Sequence, residues 1–64
     1  MDIAAIHNMW SHRHAEKTTS VAHYEELART VENQFAAQHF AKVAETQRVE
    51  LALIEEFLQC LEEE

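Results

Sequence analysis

Five histidines, at positions 7, 12, 14, 23 and 39, are the side chains best equipped here to bind a metal or move a proton. Ligands that share an ion on one helix usually stand three or four residues apart, and the chain contains neither His-x-x-x-His nor Glu-x-x-His. His12 and Glu16 do stand four apart, but so do many ordinary surface pairs. His7 and His14 share a helical face yet lie two turns, about 10 Å, from each other, too far for one ion. We therefore expect no metal site. Imidazole titrates near neutrality, which leaves a pH response open.

Cys60 is the sole thiol and rules out an intrachain disulfide. It stands among Phe57, Leu58 and Leu61 with no base nearby in sequence, an apolar setting that quiets a thiol, and it reads as a core residue. Glu25 with Glu26, and Glu55 with Glu56, are adjacent and diverge around a helix, so they read as solvated charge. Covalent catalysis needs a positioned base and an oxyanion-stabilising loop, and a chain with no glycine has little with which to shape one. No catalytic residue and no cofactor is expected.

Trp10, Ser11, His12, Arg13 and His14 form a basic, aromatic patch. Trp and Arg are enriched at binding hot spots, so Trp10 and Arg13 are candidate contacts for an acidic partner. The plainer reading has Trp10 filling a helical core while its neighbours face water.

The chain must supply elements to hold these side chains, and composition narrows the choice. Glycine and proline are both absent, which removes the usual residues for tight turns, phosphate-binding loops and helix stops. Ten alanines together with many Glu, Gln and Leu favour helix. A domain of 64 residues buries only about 60% of its unfolded surface and is marginally stable alone. An apolar content of 47% nonetheless excludes a disordered chain, so burial is expected to cross a subunit boundary.

Ile3, Ile6 and Trp10 recur at helical spacing with Asp2 as a cap, which predicts a short first helix over about 3–16. Thr18, Thr19 and Ser20 are the only cluster of small polar residues, so the turn is placed at 17–20. A long second helix follows over about 21–62, with Asn33 and Thr46 as its two weak break points. The single domain, 1–64, is thus an all-α helical hairpin.

Two apolar stripes run down the second helix. Tyr24, Leu27, Ala28, Val31 and Phe35 lie on one side, and Phe40, Val43, Leu51, Ile54, Leu58 and Leu61 on a side rotated by well over 90°. Val49, Leu53, Phe57 and Cys60 return to the first direction, so the C-terminal third is apolar on two faces. Such a helix requires two neighbours: another part of its own chain, and the same segment of a second chain in a helical bundle with coiled-coil character. Val49, Leu51, Leu53, Ile54, Phe57, Leu58 and Leu61 are the expected oligomer interface, with a dimer as the simplest form. The acidic Glu62 to Glu64 end is expected to fray.

The net charge of −7 is concentrated after residue 20, where ten acids face three bases. That field opposes direct binding to DNA or RNA. A helix-turn-helix reading around Ser20 fails for the same reason, because Glu25 and Glu26 open the second helix where base-reading donors belong. No apolar run reaches the ~20 residues of a membrane span, and no secretory signal is legible, so a cytoplasmic location is expected. The function these features predict is a non-enzymatic adaptor, chaperone-like protein or regulator that is a homo-oligomer and holds a second protein. Phe35, Phe40 and Val43, with Leu51, are the candidate groove residues for that partner. The alternative is a structural subunit, or a regulator of nucleic-acid machinery that acts through its acidic surface.

Overall fold

The computed structural model describes residues 2–63. Helix α1 runs over Ile3–Thr30 and helix α2 over Gln34–Glu62, and together they form an antiparallel hairpin about 47 Å long and 14 Å across. The described residues contain no strand. The all-helical hairpin expected from composition is present, but its proportions differ: the helices are nearly equal, 28 and 29 residues.

The turn lies at residues 31–33, and the expected break at 17–20 is corrected. Thr18 and Thr19 stay inside α1 by donating their hydroxyls to the carbonyls of His14 and Ala15, one helical turn back. Ser20 donates its hydroxyl to Gln47 Oε1 across the seam at 2.8 Å. A hydroxyl satisfied in either way has no reason to compete with the helix, so this small polar cluster does not end it.

Of the two break points foreseen further on, Asn33 is used and Thr46 is not. Asn33 adopts an extended backbone and its side chain accepts from Ala36 N at 2.9 Å, capping α2. Thr46 remains helical, its hydroxyl donating to the carbonyl of Lys42. Asp2 caps α1 in the same manner, accepting from Ala5 N at 2.7 Å, as its position suggested. Val31 leaves α1 with ψ near 137° while its amide still bonds to Leu27 O. No described residue needs a positive φ, so the connection works without glycine.

The seam has a seven-residue register. His7 meets Glu62 and, seven residues along α1, His14 meets Glu55, seven residues back along α2. On the other flank Trp10 meets Phe57 and Lys17 meets Glu50, again seven and seven. This spacing is what antiparallel helices adopt when side chains interlock along a shared seam.

The core is thin. Among the described residues only Val21, Ala44 and Ile54 are buried, with 7%, 1% and 8% of their surface exposed, and no large side chain is fully enclosed. The chain exposes 4897 Å², whereas a compact protein of this mass would expose about 4,250 Å². Among the described residues no helix is long and apolar enough to cross a membrane.

Candidate functional site: the outer face of α2 and the Trp10 flank

The two apolar stripes of α2 have different fates. Leu51, Ile54, Leu58 and Leu61, expected at an oligomer interface, turn inward and form the hairpin's own seam, Ile54 buried and the other three half-buried. Phe40 and Val43, expected to line a partner groove, belong to that seam as well. Phe40 is half-buried with its ring 6.0 Å from Tyr24, and Val43 is half-buried beside the buried Ala44. The reason is length: the stripe from Phe40 to Leu61 runs most of α2, and α1 is long enough to cover all of it.

The shorter stripe is left outside. Val49 and Leu53 are each 60% exposed and Phe57 is 40% exposed, so these three of the expected interface residues keep a free apolar surface. Cys60 is exposed too, which corrects its assignment to the core. One residue is a rotation of about 100°, enough to carry Cys60 off the face that its neighbour Leu61 directs into the seam. Phe35 is 82% exposed at the start of α2, on the same side of the helix but beside the turn.

Trp10 joins this surface to α1. Its ring stands edge-on to Phe57, with centroids 5.6 Å apart, and the Arg13 guanidinium lies 4.9 Å above it. Trp10 is half-buried, so it neither plugs the core nor stands free. Next to it Lys17 Nζ donates to Glu50 Oε2 at 2.8 Å. Trp10, Arg13, Lys17, Glu50, Leu53 and Ile54 line an open groove of about 700 Å³ between the helices. Ile3 and Met9, 50% and 40% exposed, extend the apolar surface at the same end of the hairpin. Sequence reading did not select Met9, because it lies off the stripe of Ile3, Ile6 and Trp10.

The opposite flank is polar. Ser11, His14, Glu55, Leu58, Gln59 and Glu62 line a shallower groove of about 470 Å³. There His7 Nε2 donates to Glu62 Oε1 at 3.2 Å, and His14 Nε2 lies 3.5 Å from Glu55 Oε1. The separation of His7 and His14 read from spacing thus gives each its own glutamate. His12 pairs with Glu16 at 3.0 Å along α1. Among the described residues no three His, Cys, Asp or Glu side chains gather closely enough to hold a metal ion.

Charge pairing runs both across the hairpin and along a single helix. Arg48 donates to Glu25 across the seam at 2.7 Å, and Arg29 pairs with Glu26 within α1. Among the described residues Arg13 and Lys42 meet no carboxylate, while Glu56 and Glu63 meet no cation.

Comparison with protein-family models, curated proteins and solved structures returns no match. The class of protein is therefore defined by architecture alone, an antiparallel two-helix hairpin with one flank more apolar and the other polar.

Proposed function

We propose that this chain is a non-enzymatic protein-protein interaction module that works as a homo-oligomer, in its simplest form a dimer, and presents an acidic surface to a further protein. One observation carries the reading: among the described residues the hairpin buries three small or medium side chains while leaving Val49, Leu53 and Phe57 open along one face. A core this slight supplies little stability, and small domains commonly obtain the remainder from a partner subunit. Apolar groups left together at a surface mark a contact site more often than they mark a solvent face. As a cytoplasmic adaptor or small regulator, the module needs no cofactor.

A narrower alternative, a regulator of nucleic-acid machinery that meets a basic protein, is favoured by the acid-rich flank with Glu55 and Glu62. Salt-sensitive capture of a basic protein by that flank would support it.

Sedimentation equilibrium tests the main reading. The expected result is a mass of twice the 7.5 kDa chain, or a higher whole multiple, at micromolar concentration. A helical species that keeps the single-chain mass up to about millimolar concentration, where even an association near 4 kcal/mol would register, overturns it.

A further inference from the structure

We infer that a second copy of this chain covers the outer face of α2 in an antiparallel, two-fold pairing centred on Leu53. This rests on the homo-oligomer proposed above and specifies which surface forms it and in which direction.

The distribution of charge along the stripe selects the direction. Positions 35, 39, 42, 46, 49, 53, 57 and 60 of α2 fall on the outward side at about 100° per residue. The C-terminal half of that stripe, Val49 to Cys60, is apolar. Before it come His39 and Lys42, and after it comes Glu63. Lys42 precedes Leu53 by eleven residues and Glu63 follows it by ten, so each lies about 15 to 17 Å from the centre. Antiparallel pairing about Leu53 therefore brings Lys42 of one copy to the Glu63 end of the other, twice by symmetry. Both groups lack a partner within their own chain among the described residues. Parallel pairing would instead set Lys42 against Lys42 and Glu63 against Glu63, which like charges oppose, whereas Glu56 comes level with an acid in either direction, Glu56 if parallel and Glu50 if antiparallel. In the antiparallel arrangement Phe57 of one copy also faces Val49 of the other, a large side chain against a small one.

The hairpin is an elongated rod that exposes roughly 650 Å² more than a compact chain of its mass, so pairing along its length has surface to remove from water. The stripe leans toward the flank that carries Trp10. Each α1 then approaches the second copy's α2, with Trp10 and Arg13 at the margin, and the pair closes as a four-helix bundle. The flank with Glu55, Gln59 and Glu62 stays outside.

Disulfide trapping distinguishes the arrangements, because Cys60 is the only native thiol. Antiparallel pairing leaves the two Cys60 residues about 21 Å apart along the helix, but places Cys60 of each copy opposite Thr46 of the other, both seven residues from Leu53. Thr46 and Cys60 of one chain are themselves fourteen residues apart on one helix and cannot bridge. Under a mild thiol oxidant the wild-type chain should remain uncrosslinked. Thr46→Cys should form covalent dimers whose linked peptides join positions 46 and 60. Leu53→Glu, at an exposed position, should keep its helical circular dichroism and weaken association at least about 100-fold, since the charge enters the interface twice. Gln59→Arg on the other flank should leave association unchanged.

Efficient Cys60 to Cys60 trapping in the wild type would overturn the direction. A wild-type oligomer that Leu53→Glu leaves intact, or that Gln59→Arg dissolves, would overturn the surface while the homo-oligomer stands. A single-chain mass for the wild type removes the homo-oligomer itself and this pairing with it.

Discussion

Ser20 and Gln47 face each other near the middle of the hairpin, the Ser20 hydroxyl donating to Gln47 Oε1 at 2.8 Å with both side chains half-buried. The bond ties α1 to α2 at a point where the sequence suggests that the chain should turn. Ser20→Ala removes the donor and leaves a half-buried amide oxygen unpaired, so it should cost about 1 kcal/mol of unfolding free energy in a urea titration. Ser20→Pro interrupts a helix rather than a loop and should cost about 3 kcal/mol or more, with a large loss of helical circular dichroism. A proline tolerated at position 20 would restore the turn to that site.

Asn33 carries the connection. Asn33→Ala removes the oxygen that holds Ala36 N and should lower stability by about 1 kcal/mol, whereas Asn33→Asp retains an acceptor and adds a favourable charge at the helix start. Thermal melts of the two variants should therefore move in opposite directions, or at least differ clearly. Equal melting temperatures would show that the cap contributes nothing.

Leu58 points into the seam, and Leu53, five residues before it, points away. Leu58→Asp takes an apolar side chain out of the half-buried seam and sets a carboxylate beside Glu55 and Glu62, a cost of about 2 kcal/mol or more to a thin core, so it should weaken the assembly and lower helicity together. The contrast with Leu53→Glu, which should lose assembly alone, is read by circular dichroism and sedimentation on the same samples. A Leu58→Asp chain with wild-type helicity would contradict the assignment of this stripe to the seam.

Salt separates self-association from capture of a basic protein. Two copies each carrying a net charge of −7 repel, and salt screens that repulsion, while exposed pairs such as Lys42 with Glu63 contribute little. Self-association should thus tighten between about 20 and about 500 mM sodium chloride, over which the Debye length falls severalfold. Binding of a basic target at the acidic flank should weaken over the same interval. Self-association that weakens steeply with salt would identify ionic contacts, rather than the apolar stripe, as its basis.

Much of the local chemistry is legible residue by residue. Asp2 is a cap in sequence and in structure, because capping depends on a side chain and an amide three residues away. The i,i+4 spacing of His12 and Glu16 becomes a side-chain contact of 3.0 Å for the same reason. The two apolar sides of residues 49–61 follow from helical periodicity alone, and both exist. Asn33 was recognisable as a break point, but only as one of two.

Composition and periodicity are enough to establish the helix, the twofold apolar character of its C-terminal part, and the acidity that follows residue 20. Where the chain turns and which stripe is hidden depend instead on how the two helices pack. A turn at 17–20 would set a short helix against a much longer one and leave most of the Phe40 to Leu61 stripe without a neighbour. A turn at 31–33 pairs 28 residues with 29 and covers that stripe along its length. The hydrophobic effect rewards the area removed from water, which depends on both helices together and on no single segment. The longer stripe is therefore matched to α1, and Val49, Leu53 and Phe57 are left facing outward.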